Sequence, residues 1–372
     1  MTSLLMMRYL RVFALLCASI AWMSSCEQNP LQPDLPAPVL GQNGAYILCE
    51  GLWRQDNATL SRYTTTTNTM TNDVLARVNP GLRLGDTASD MLAVGDTLYI
   101  AVSTSKTIEA IHLKTGVWAG RVRVSGRQEP RSLALVNDTT MIVSNLNDDS
   151  YTEFHPKTFS IRIPRIAVGP APEGIAVGAD GTRIFVANSG YGDFRANEPK
   201  AGTVSVLSAS SRTELATLTG LPNVTDVMVR GSRLYALFRN LPSLKDSAGN
   251  QVPGGIVEYD VNSLTELRRW RVRAGSLQFS RASDSLWFLN TDGAWMIPLT
   301  QNNSQPRRMI DRPATEQWYG LGIHPSNGTV WICNARNYQV PGEVIIYRTN
   351  GGMYSPQQRF DVGLNPSSIV FF

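Results

Sequence analysis

Histidine, lysine and cysteine are scarce in this 372-residue chain, which has three His, five Lys against 29 Arg, and four Cys. Zinc and iron sites built from side chains draw on His and Cys together, so little material is left for a resident metal, and no cofactor is expected. Charged residues make up 17%, where about a quarter is usual. The 34 basic and 30 acidic residues give a formal charge of +4, spread along the chain rather than gathered in a stripe, which argues against nucleic acid as a partner. No apolar run reaches the roughly 20 residues of a membrane-spanning helix. The chain also lacks GxSxG, HExxH, P-loop and CxxC motifs, and with them the commonest signatures of hydrolases, metallopeptidases, nucleotide-binding proteins and thiol-redox proteins.

What is present starts with an export leader. Arg8 and Arg11 precede an apolar run from Val12 to Trp22, and small Ser24 and Ser25 precede Cys26, the layout of a signal peptide over residues 1–25. Met23-Ser24-Ser25-Cys26 is similar to a bacterial lipobox, whose Cys becomes the lipidated first residue of the mature chain; the alternative is an ordinary secretory signal in which Cys26 is incidental. Acyl chains on Cys26 would hold the protein on a membrane at about 0.8 kcal/mol per buried methylene. Residues 26–43 then form a Pro-rich tether, with four Pro between 27 and 41. Removing Arg8 and Arg11 leaves 32 basic against 30 acidic residues, a net +2, so electrostatic steering would be weak.

From residue 44 to 372 the chain is short β-rich runs broken by Gly, Asn, Asp and Pro, with no sustained helical period. It reads as all-β. The runs align as a repeat whose clearest copy is Pro172–Val177, Ile184–Asn188, Val204–Leu207 and Leu215–Leu218. Its first strand recurs around Met91, Leu133, Ile175, Val227, Leu277, Leu321 and Ile369, at spacings of 42, 42, 52, 50, 44 and 48 residues. That is about the length of a four-stranded propeller blade. Seven anchors predict a seven-bladed β-propeller, in preference to a pair of β-sandwiches. The last anchor heads a lone strand at 366–372, and segment 44–78 supplies strands with no inner one before them, so the C-terminal strand is expected to close the first blade. Cys49 and Cys333 fall at second-strand exits of blades one and seven, where equivalent positions sit too far apart for the Cα separation of a disulfide; two buried free thiols are expected.

The sequence resembles the YncE-like surface-layer propeller lipoproteins of Bacteroidota through Ala45-Tyr46-Ile47-Leu48-Cys49-Glu50-Gly51, Leu84-Gly85-Asp86-Thr87-Ala88, Pro172-Glu173-Gly174-Ile175, Val186-Ala187-Asn188-Ser189-Gly190 and Tyr319-Gly320-Leu321-Gly322-Ile323. The resemblance runs from the lipobox to Phe372. It implies a ligand-capturing or accessory lipoprotein beside a TonB-dependent outer-membrane transporter, on the outer membrane and facing outward more than into the periplasm, the best-known members being surface corrinoid binders. It supplies no short ligand-contact motif, so no site residue is transferred from it.

In a propeller the second-to-third-strand loops surround one mouth of the channel, and long loops there carry function. They are long at 190–203, 240–255 and 335–343. Candidate ligand contacts on this face are Trp53, Tyr191, Phe194, Arg239, Trp318, Tyr319, Asn334, Arg336 and Tyr338, because aromatic and Arg side chains dominate binding hot spots. The competing reading for Asn145, Asn188, Asn290 and Asn334 is turn chemistry, since they recur at one blade position; for the aromatics it is loop packing. A protein- or polymer-docking module is the alternative function. A lactonase-like hydrolase is a weaker one, with only Glu50 and Glu173 as acidic candidates. His112, His155 and His324 fall in turns, Ser103–Lys106 reads as a strand exit, and Asn145–Asp149 as a polar loop rather than a calcium loop. Asp-Ser/Thr triplets at Asp86, Asp96, Asp138, Asp246 and Asp284 match a glycosylation acceptor but also stabilise turns unaided.

Overall fold

The computed structural model describes residues 44–372 apart from 281 and 283; the expected signal peptide over 1–25, Cys26 and the expected tether over 26–43 lie outside the described residues. Seven four-stranded antiparallel sheets follow one another along the chain. The inner strands are β4 (Ala88–Val94), β8 (Pro130–Asn137), β12 (Pro172–Val177), β16 (Val224–Arg230), β20 (Gly275–Phe279), β24 (Trp318–Ile323) and β28 (Pro366–Phe371). Each contains one of the seven sequence anchors.

Second and third strands are buried along almost their whole length, as at Arg183–Asn188 and Thr203–Ser208, because both of their faces meet neighbouring blades. They read as near-continuous apolar runs for that reason. Outer strands such as Arg307–Asp311 are largely exposed and charged. Among the described residues there are seven hydrophobic clusters, one in each gap between adjacent blades. The apolar stabilisation is thus spread around the ring rather than gathered in one centre. A single helical turn, α1 (Val74–Val78), bridges the first two blades.

The seam closes as expected. β28 pairs antiparallel with β1 (Gly44–Cys49), placing Ala45 opposite Phe371 and Ile47 opposite Ile369. Phe372 is buried, stacks on Tyr46 at 5.0 Å, and exchanges main-chain hydrogen bonds with Gly44. Cys49 and Cys333 are both buried and unbridged, and burial pushes the Cys49 thiol up to about 12.

Candidate functional site

The channel lining follows from the blade repeat. Each inner strand turns its anchor residue into the gap between blades, and the two residues before the anchor border the axis. Those positions hold Ser89-Asp90, Arg131-Ser132, Glu173-Gly174, Thr225-Asp226, Gly275-Ser276, Tyr319-Gly320 and Ser367-Ser368. With Glu50 and Arg239, most of them line a central cavity of about 210 Å³. Sequence reasoning placed Glu50, Glu173, Arg239 and Tyr319 on this side of the ring but missed Asp90, Arg131 and Asp226. Reading one and two positions back from every anchor would have found them.

The channel holds four carboxylates against two guanidinium groups. Asp90 accepts hydrogen bonds from the Met91 and Leu133 amides, both at 2.8 Å, and from Ser132 Oγ at 3.2 Å. Burial nevertheless carries its carboxyl up to about 6, against the pull of those donors and of Arg131. Asp226 occupies the same station in blade five; burial, then the Asp90 charge, push it up to about 7. Glu50 is raised by burial against the pull of Arg131, and its Oε2 accepts the Tyr319 hydroxyl at 2.9 Å. Arg131 stands 3.5 Å from Glu173; burial works against its charge, and Glu173 and Glu50 outweigh that.

Above the channel a cleft of about 490 Å³ opens on the face of the second-to-third-strand loops, between blades five, six and seven. It meets the channel at Arg239, Ser276 and Tyr319, which border both spaces. Of the sequence candidates, Arg239, Trp318, Tyr319 and Tyr338 line it, together with Asn290. Tyr319 and Tyr338 meet edge to face at 5.7 Å and are partly exposed. Arg273 and Arg312 complete the wall and were not anticipated.

Trp318 and Tyr319 are not loop residues, as expected from sequence, but the first two residues of β24. Trp318 is 9% exposed, packs edge to face on Tyr347 at 5.9 Å and donates its indole N–H to Glu316. Folding therefore explains most of its bulk, and little of its surface is left for the cleft. Asn334 is a turn organiser, as the competing reading held: its Oδ1 accepts the Gln317 and Arg336 amides, and its Nδ2 donates to Glu343. Asn188 does the same work in blade four, accepting from Gly169 and donating to Thr203 and Ser205. Arg336 is paired with Asp361 at 2.6 Å. It borders a separate depression of about 740 Å³ on blade seven, where Arg359 in turn holds Glu316 and Glu343. Those charges satisfy one another, so that wider hollow has less to offer a ligand than the cleft.

Trp53, Tyr191 and Phe194 stand apart from the cleft. Trp53 is 65% exposed with the Arg54 guanidinium 4.2 Å above its ring, and Phe194 is 93% exposed. Tyr191 donates its hydroxyl to Asn147 at 2.9 Å. The nearby Asp149 is held by Arg195 through two bonds of 2.7 and 2.6 Å, so the Asn145–Asp149 segment is committed to loop structure. Ser105 accepts the Asp86 amide and Lys106 reaches the Gly126 carbonyl, which leaves Ser103–Lys106 as a strand exit. No described His, Cys, Asp or Glu residues form a group suited to a metal ion.

No protein-family model matches the chain, and no curated protein is significantly similar to it. Solved structures are similar in shape. A quinonprotein alcohol dehydrogenase-like protein from Bacteroides thetaiotaomicron aligns at a TM-score of 0.66 and 15% identity, over 88% of this chain and 78% of that one. The periplasmic gluconolactonase of Pseudomonas aeruginosa aligns at 0.63 and 15%, over 88% and 99%. The hydrazine synthase of Kuenenia stuttgartiensis aligns at 0.58 and 16%, over 74% and 86%. Three differently named activities on one scaffold carry no activity over to this chain; what they share with it is the fold, a β-propeller, built here from seven blades.

Proposed function

We propose that this protein is a ligand-capturing propeller of the bacterial cell envelope, which takes a small organic molecule into the cleft between blades five, six and seven. The observation that carries this reading is the cleft itself. Its volume falls within the range of small-molecule sites, it has aromatic walls and a few convergent polar groups, and it opens onto a charged channel. The finer reading follows the resemblance to YncE-like surface lipoproteins: Cys26 carries the lipid anchor, a TonB-dependent transporter receives the ligand, and corrinoids are the first ligands to test.

The test is calorimetry of the mature protein against cobalamin and a panel of other corrinoids, siderophores and glycans. Tyr338→Ala is the site variant, because Tyr338 is 40% exposed and its loss leaves the core intact. A hot-spot aromatic should cost on the order of 2 kcal/mol of affinity on truncation while the thermal melt stays put. An unchanged affinity for a ligand that binds would move the site out of the cleft. For the anchor, Cys26→Ser should release the protein from the membrane fraction, because thioether attachment needs that sulfur; a variant that still pellets with labelled acyl chain contradicts lipidation.

A docking role is the second reading, and Phe194 and Trp53 favour it. Both stand exposed on the loop face away from the cleft, where no fold requirement accounts for them. If Phe194→Ala abolishes transporter association and leaves ligand affinity alone, the two roles occupy separate parts of one face.

A further inference from the structure

We infer that the molecule held in the cleft is an organic anion, with its carboxylate or phosphate groups on Arg239, Arg273 and Arg312; this rests on the cleft being the binding site. No Asp or Glu lines the cleft, although three arginines do. In a chain whose acids and bases nearly balance, that is a local excess of one sign. None of the three forms an ion pair with any described carboxylate, whereas Arg336 and Arg359 in the neighbouring depression are both paired.

Two of the arginines are also oriented in advance. Arg273 donates to the Gln251 carbonyl at 3.1 Å. Arg312 donates to the Thr291 carbonyl at 2.7 Å and to that of Glu316. Main-chain carbonyls fix the guanidinium planes without cancelling their charge. A guanidinium has five N–H donors, so each of these two keeps several for a ligand. Pre-oriented forks of this kind suit planar carboxylate and tetrahedral phosphate groups and lose less entropy on binding than free side chains.

The depth at which an anion would stop is set by the channel. Below Arg239 lie Glu50, Asp90, Glu173 and Asp226 against the single Arg131, an acidic excess that disfavours deeper entry of an anion and leaves it at the level of the arginines. The edge-to-face pair Tyr319 and Tyr338 offers a surface for a ring. The class of ligand is therefore a ring-bearing molecule that carries carboxylate or phosphate.

The experiment compares two probes of one shape, benzene-1,3,5-tricarboxylate and its neutral triamide, by titration calorimetry at pH 7.5 in low salt. The tricarboxylate should bind at least tenfold more tightly, and its affinity should fall as salt is added. Arg273→Gln and Arg239→Gln, both at exposed positions, should each cost the tricarboxylate about tenfold and leave the triamide within twofold. Arg312→Gln serves as a third variant if its thermal melt matches wild type. Equal affinities for the two probes, no binding of the tricarboxylate, or arginine variants that leave its affinity unchanged would each overturn the anion assignment. If the triamide binds as tightly as the tricarboxylate and both are lost in Tyr338→Ala, the cleft stands as the site and only the anion assignment falls.

Discussion

Asp90 and Asp226 are one residue type at one station of the repeat, and their surroundings separate them. Asp90 is a strut between blades two and three, accepting two amides and a hydroxyl. The neighbour that Asp226 meets in blade six offers Ser276, whose Oγ instead accepts the Leu321 amide. Asp226 is left more dependent on its own proton, and its carboxyl rises to about 7 through burial and the Asp90 charge. A raised carboxyl means that the folded state holds a proton which the unfolded chain releases between about pH 4 and 7, so stability falls as pH rises through that window. Asp226→Asn should remove the cost of the buried charge, on the order of 1 to 3 kcal/mol at pH 8, and flatten the dependence of melting temperature on pH between 5 and 8. Thermal melts across that range decide it; a variant with the wild-type slope would show that Asp226 is not the titrating group. At this scale the turn-forming Asn residues were legible in sequence, because a recurrent Asn at a strand exit has a local job. Arg273 and Arg312 were not, because whether an arginine is paired depends on which carboxylates other blades bring to it.

Strands and loops were legible to different depths. Every inner strand and the long loops of blades four and five fell where spacing placed them, since strand period and turn residues are local properties. The blade-seven loop is shorter than expected, because β26 (Pro341–Asn350) starts within it, and the nine-residue loop at 50–58 in blade one was not among those expected to be long. What holds the loops is non-local. Arg195 clasps Asp149 from the preceding blade as well as Glu198 in its own loop, and Asp193 accepts the amide and hydroxyl of Ser243 from the following blade at 2.8 and 2.6 Å. The loop at 190–203 is thus a bridge across three blades. Arg195→Ala should release it, with loss of hydrogen-exchange protection over 190–202 and a modest stability loss of about 1 kcal/mol, the scale of partly exposed ion pairs. Cleft affinity should be unaffected, because Arg195 lies outside the cleft lining. Exchange measured by mass spectrometry tests this, and protection equal to wild type would show that the bridge does not depend on the clasp.

For the molecule as a whole, closure depends on a strand at one end of the sequence pairing with a strand at the other. Gly320 on β24 shows how tightly the last gap is drawn: a Cβ there would stand 2.2 Å from the Ser367 carbonyl oxygen. Deleting the last six residues should remove most of β28, Ile369 included, leave the inner edge of β1 unpaired and expose the cluster around Ile47, Trp331 and Cys333. The expected outcome is loss of the cooperative melt, read by circular dichroism, with aggregation on size-exclusion chromatography, as unpaired strand edges invite. A deletion variant that melts as wild type would show that the seam is dispensable. The seven-fold architecture was the most legible level of all, because each blade repeats the evidence for it. The site was the least legible, because it forms where unlike side chains of different blades meet.

The seam also ties the fold to the order in which the chain is made. Gly44–Cys49 emerges from the ribosome before the other blades, yet its inner edge waits for Pro366–Phe371, which emerges only after all of them. Until then the first sheet cannot be finished, and Tyr46 has no Phe372 to cover it. A chain cut short anywhere upstream keeps that unpaired edge, whereas one that includes β28 hides it. The ring therefore reports on its own completeness: only a chain that carries Pro366–Phe371 can cover the inner edge of Gly44–Cys49.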